Sequence, residues 1–203
     1  MVLVLFLCLV KMEKVVSMEK NLYEQFVSLL REKYPALSLR KVIEDIEEAV
    51  ERFGIEVKYS DMSHIKTSEE ISGYVHVVNG VPEMVINGFQ SQLRQRFTIA
   101  HELGHVLLHW QWQPGKQLPD SLVEISYRKE SYSSDNDIQR EKQADSFAAE
   151  FLAPLDDVVQ FLEEIKGDNP DKEVQISMLS DKFKISNPSA FYRWQEAQGV
   201  IND

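Results

Sequence analysis

The feature that most constrains this chain is the string His101-Glu102-Leu103-Gly104-His105, set inside FTIAHELGHVLLHW at residues 97–110. Two histidines four residues apart project from one face only on an α-helix, about a turn apart, so the segment predicts a helix carrying both imidazoles to one point. Glu102, one step round, addresses the open side of that point. This is the arrangement in which a metal ion lowers the pKa of a water to about 7 and a carboxylate takes its proton as a carbonyl is attacked. Ordinary residue frequencies produce an HExxH match in roughly 1% of chains of this length or fewer, so its coincidence with helical patterning makes a metal site the working expectation.

Two histidines do not complete such a site, and a third protein ligand is required. In an HExxHxxGxxH motif a glycine would stand at Leu108 and a histidine at Gln111, and neither does. His109 keeps the four-residue spacing but lies two turns beyond His101, roughly 12 Å along the axis, too far to share one ion with both histidines. It reads as a packed histidine or one that supports a ligand. The remaining source is a glutamate on a later helix: Glu141 or Glu150, with Glu124 and Glu130 in the intervening loop. Glu141 stands out because Asp145 follows at i+4 on the same face, and a ligating histidine commonly donates its second N–H to a carboxylate. Asp145 would then orient His101, with Glu150 as the reserve ligand.

Around this segment the period of the apolar residues alternates between helix and strand. Leu22, Phe26, Leu29 and Leu30 predict a helix over 21–34, ended by Pro35. A second is expected from an N-cap at Ser38 through Val42, Ile46, Val50 and Phe53 to a stop at Gly54. IEVKY at 55–59 reads as a strand. GYVHVV and EMVIN, joined through Asn79-Gly80, read as a hairpin whose turn needs the positive φ that this dipeptide supplies. The motif helix runs from about Ser91 to Trp110. Residues 111–136 carry Pro114, Gly115 and Pro119 with little periodicity, and predict a long loop between the two ligand-bearing helices that could gate a cleft. IQREKQADSFAAEFLAP returns to helical spacing, and further helices are expected over 155–166, 174–183 and 189–198. The fold class is α+β: a small antiparallel sheet packed against the HExxH helix, followed by C-terminal helices.

Three regions follow: an extension at 1–17 outside the core, a main domain at 18–154 and a C-terminal helical region at 155–203. The apolar opening MVLVLFLCLV lacks a basic lead and a cleavage pattern and is too short to span a bilayer, while Met12 and Met18 offer alternative starts. The lone cysteine, Cys8, implies neither a disulfide nor a thiolate metal site, which makes a reducing cytoplasm the expected location. A formal net charge of -11 repels phosphate backbones and favours a protein or peptide partner over nucleic acid.

RQRFTIAHELGHVLLH followed by EKQADSFAAEFLAP resembles the two signature segments of the ImmA/IrrE family of metallopeptidases, and the resemblance extends over roughly residues 37–154. It implies a zincin-like core with His101, His105 and Glu141 as zinc ligands and Glu102 as catalytic base. It also implies an endopeptidase that cleaves a helix-turn-helix repressor, so that mobile-element or stress genes are switched on. The His2Glu set suits Zn2+, with Mn2+ the alternative ion. A non-catalytic zinc-containing interaction protein, such as a toxin–antitoxin component, is the rival reading.

The outer parts of the chain yield weaker expectations. A peptide substrate needs an extended backbone, which an exposed sheet edge could hold by strand addition. Tyr127 and Tyr132 in the loop are candidates to donate to a developing oxyanion. Arg94 and Arg96 read as solvated positions rather than a phosphate site. The rhythm of 174–198 suggests a helix-turn-helix pair. Its charge argues otherwise: from Lys172 to Asp203, Lys172, Lys182, Lys184 and Arg193 balance Glu173, Asp181, Glu196 and Asp203, so packing on the main domain is favoured over DNA binding.

Overall fold

A computed structural model describes residues 16–62, 71–127, 135–168 and 170–202. Helix α1 (Val16–Lys33) leads through a 3-10 turn (Pro35–Leu37) into α2 (Leu39–Glu44) and α3 (Ile46–Phe53). The single helix expected after Ser38 is therefore two. Asp45 is extended, at φ -156° and ψ 104°, and its carboxylate accepts the Glu48 N–H. A short side chain that offers the backbone an outside acceptor starts a new helix instead of continuing the old one. Gly54 ends α3 at φ 115°, in the left-handed region a C-cap glycine tolerates.

The sheet comprises β1 (Glu56–Ser60), β2 (Ile71–Val78), β3 (Val81–Asn87) and β4 (Val123–Tyr127), in spatial order β1-β3-β2-β4. The hairpin is as expected. Asn79 and Gly80 take φ 51° and 81°, and β2 pairs antiparallel with β3 from Val78 opposite Val81 back to Gly73 opposite Ile86. Two features differ from the sequence reading. First, β1 pairs with β3 in parallel, which makes the sheet mixed; β1 takes the free edge of β3, a pairing that strand patterning does not specify. Second, the long loop contains β4, which pairs antiparallel with the outer edge of β2. Val-Glu-Ile-Ser-Tyr does alternate apolar and polar, but over only five residues inside a stretch rich in polar residues, proline and glycine, so the expectation of a loop passes over this period-two signal. Within the loop, Asp120 Oδ1 accepts the Gly80 N–H at 2.8 Å and the Leu118 N–H donates to Gly80 O, which ties it to the hairpin turn.

Helix α4 (Gln92–Gly104), capped by Ser91, packs against β2 and β3 and continues into a π-helical turn (His105–His109). Then come α5 (Asp135–Leu152), α6 (Leu155–Ile165), a 3-10 turn (Lys166–Asp168), α7 (Lys172–Phe183) and α8 (Asn187–Asn202). One hydrophobic cluster joins α1, the sheet, α4 and α5 to Leu179 and Phe183 of α7 and Ala190 and Ala197 of α8. The C-terminal helices thus share the core of the rest. A buried ion pair reinforces the join: Arg193 Nη2 lies 2.6 Å from Glu150 Oε2, and Arg193 Nε donates to Ala153 O at 2.7 Å.

Candidate metal centre

Helix α4 presents its ligand face to α5, and the two helices cross closely. A Cβ built on Gly104 would stand 3.0 Å from Phe147 Cδ1 and 3.2 Å from Ala144 Cα, so glycine permits the approach. The approach brings three side chains together. His101 Nε2 and His105 Nε2 are 3.0 Å apart, and Glu141 places Oε2 3.2 Å from the first and Oε1 3.3 Å from the second. All three residues are buried, and they form a cluster able to hold a metal ion, with one ligand atom from each lying within 4.8 Å of the others. The donor set also has the right size. Nitrogens and oxygens about 2.0–2.1 Å from a tetrahedral zinc stand roughly 3.3 Å from one another, close to the separations found.

The charges of these groups are mutually dependent. Burial alone would depress the His101 imidazolium, but hydrogen bonds to Asp145 and Glu141 and the nearby Glu102 charge raise it to about 10. Burial would raise the Glu141 carboxyl, yet the two histidines hold it well below the usual carboxylate range. A metal cation at this point would take the place of the proton that His101 otherwise retains. His109 goes the other way, lowered to about 3 by burial and by its neighbours His105 and Arg140. It is a neutral imidazole at physiological pH.

Each residue singled out in the sequence has a definite place. Asp145 Oδ1 lies 2.8 Å from His101 Nδ1, the orienting contact expected of it. Glu102 is fully buried beside His101. Glu150 faces away, committed to Arg193, so Glu141 and not Glu150 joins the histidines. The side chains of Glu124 and Tyr127, and the whole of Glu130 and Tyr132, lie outside the described residues, as do residues 1–15. Arg96 is not a solvated helix position: it is half-buried and donates to Lys184 O at 3.0 Å and Val42 O at 2.8 Å, tying α4 to the ends of α2 and α7. Arg94 donates to Ser72 Oγ and stacks over Phe97. Both serve carbonyl or hydroxyl acceptors that only tertiary packing brings within reach.

Sequence reasoning also missed a pocket. A cavity of about 320 Å³ opens beside Asp145, walled by Phe97, Ala149, Leu152, Ile185 and Pro188 among others. Phe97, whose ring centroid is 6.2 Å from that of His101, is shared with a second hollow of about 660 Å³ that runs past Phe89 and Leu93. Phe89 is 84% exposed at its mouth. Phe97 one turn before His101 was the available signal, but the far wall comes from α8, whose position no local pattern specifies.

The fold and site together define an α+β protein whose central helix and the helix after it assemble a buried His2Glu cluster against a small sheet. Residues 50–195 match the profile of the peptidase family described as the IrrE N-terminal-like domain. The chain belongs to that family. No curated protein matches it. None of the described helices is long and apolar enough to cross a membrane.

Proposed function

We propose that this chain is a cytoplasmic zinc-dependent endopeptidase that hydrolyses a peptide bond in a partner protein, a helix-turn-helix repressor, and thereby releases the genes that the repressor silences. The observation that carries the reading is the convergence of His101 and His105 on α4 with Glu141 on α5, whose ligand atoms lie within 4.8 Å of one another, in a chain of a peptidase family. Zinc, when bound, supplies a Lewis acid that polarises the scissile carbonyl and acidifies the attacking water. The remaining work falls to the chain's own side chains. Glu102 takes the proton from the attacking water and passes it to the amine nitrogen as the C–N bond breaks, so that one water is consumed per bond cut. Asp145 fixes the ring of His101 by accepting its Nδ1–H.

Substrate binding uses two features of the fold. Among the described residues no strand pairs with the outer edge of β4, which pairs with β2 on its other side, so that edge can receive an extended peptide. The apolar pocket takes a bulky apolar side chain of the substrate; it opens beside Asp145, the partner of His101, and lies at the lower end of the size range of ligand sites. Direct binding of nucleic acid forms no part of this reading, given the net charge of -11.

Incubating the full chain, loaded with zinc, with the repressor encoded beside its gene tests the proposal. Cleavage by the unsubstituted chain is expected, together with its loss by 10²-fold or more in Glu102→Gln at unchanged zinc content by elemental analysis. An interaction protein that acts by binding alone would leave the repressor intact and be indifferent to Glu102→Gln.

A further inference from the structure

His109 has no part in the ligand cluster, yet its position follows from which ring nitrogen faces which partner. His105 turns Nε2 toward the cluster, 3.3 Å from Glu141 Oε1. A ring that binds a cation through Nε2 carries its proton on Nδ1. That Nδ1 is 3.0 Å from Nδ1 of His109, so His109 must present a lone pair there and keep its own proton on Nε2. Nε2 of His109 in turn stands 3.2 Å from Oε1 of Gln143, an amide oxygen that accepts. Each assignment forces the next, and the sequence closes with every proton between one donor and one acceptor. The segment that carries both rings is the π turn, where Trp110 N–H reaches back to His105 O at 3.2 Å, and turns of this kind recur at functional sites.

We propose that His109 is a positioning residue that holds His105 in the tautomer and orientation a metal ligand needs, relaying the support of Gln143 on α5. Helix α5 then governs both histidines. It holds His101 directly through Asp145, holds His105 through Gln143 and His109, and supplies Glu141 as the third ligand. The two supports differ in kind: an anionic carboxylate strengthens one ligand, and a neutral imidazole only orients the other.

The proposal rests on the metal-centre reading, and zinc affinity, measured by competition with a chromophoric chelator, tests both. His109→Phe keeps a ring but removes the acceptor, and zinc affinity is expected to fall about 10–100-fold, with a shifted visible absorption spectrum of the cobalt(II)-loaded protein. His109→Asn, whose side-chain oxygen can accept the same N–H, is expected to restore both affinity and spectrum. Gln143→Leu, on the partly exposed face of α5, is expected to weaken zinc without lowering the melting temperature of the metal-free chain. Zinc binding by His109→Phe as tight as by the unsubstituted chain, or equal losses in His109→Phe and His109→Asn, would overturn the role of His109 alone. Failure of the unsubstituted chain to bind zinc would overturn the metal centre itself.

Discussion

Replacing Arg193 with methionine removes one half of an ion pair that the fold has taken out of water. The side chains of Arg193 and Glu150 are 6% and 7% exposed, with Nη2 and Oε2 at 2.6 Å. Arg193 also donates to Ala153 O and to Glu196 Oε2. Removing Arg193 leaves the buried Glu150 carboxylate without its ion-pair partner and with only the field of Arg31 to offset it; breaking such a pair costs about 3–5 kcal/mol. Against a total stability of about 5–15 kcal/mol this is a large share. For a chain of this size it corresponds to a fall in melting temperature of roughly 6–20 °C, at about 2–4 °C per kcal/mol. Urea unfolding of the metal-free chain, followed by circular dichroism at constant m, measures the cost. The double variant Arg193→Met with Glu150→Leu separates charge burial from lost contact. It removes both charges, and although the Ala153 carbonyl and the Leu155 N–H lose partners at about 1 kcal/mol each, it should cost less than either single change. A loss below about 1 kcal/mol for Arg193→Met, or a double variant as costly as the two singles summed, would refute the view that a desolvated pair fastens α8 to the end of α5.

Three further outcomes follow from the same geometry. Gly104→Leu introduces a side chain where even a Cβ stands 3.0 Å from Phe147 Cδ1; it should cost at least about 1–3 kcal/mol in urea unfolding and, by pushing α5 and Glu141 outward, weaken zinc at least about tenfold, whereas retention of both would show the crossing to be loose. Ala149→Trp fills the apolar pocket without touching the ligands; kcat/KM for the repressor should drop by at least about tenfold at unaltered zinc affinity, and unchanged kcat/KM would remove the pocket from substrate binding. The third concerns pH. Because the folded pKa of His101 is raised to about 10 from an ordinary 6.5, its contribution to the metal-free chain is complete below pH 6.5 and is lost as pH rises through 10. Zinc must displace that proton, so zinc affinity should rise over the same interval. Calorimetry near pH 7.5 in buffers of different ionisation enthalpy should record at least about one proton released per zinc bound, one from His101 and a further fraction from the zinc-bound water; no release, with a metal-free melting temperature that climbs toward pH 9.5, would contradict the assignment.

Some of this was legible in the chain because it is local. His101, Glu102 and His105 are read from spacing on one helix, and the Asn79-Gly80 hairpin from a dipeptide that accepts positive φ. Glu141 and Asp145 could be paired by their own i+4 spacing. The break at Asp45 and the parallel pairing of β1 were not legible: one is decided by a side-chain cap that competes with the helix, the other by an edge supplied from elsewhere in the chain. The strand Val123–Tyr127 did show alternation in its five residues, and only its pairing with β2 was hidden. Arg96 was misread as solvated because its acceptors, Val42 O and Lys184 O, lie 54 and 88 residues away.

By itself the amino-acid order determined which chemistry this protein can carry: two imidazoles and a carboxylate on one helix, and a second acidic helix to complete them. Only the tertiary structure decided how they meet. The absence of a side chain at Gly104 lets α5 approach closely enough for Glu141, rather than Glu150, to close the cluster. The π turn brings His109 behind His105, and Arg193 holds α8 as the far wall of the pocket beside Asp145. Spacing along a helix is set by backbone hydrogen bonds and can be counted in sequence; the distance between helices is set by the volumes packed between them, and those depend on residues far apart in the chain.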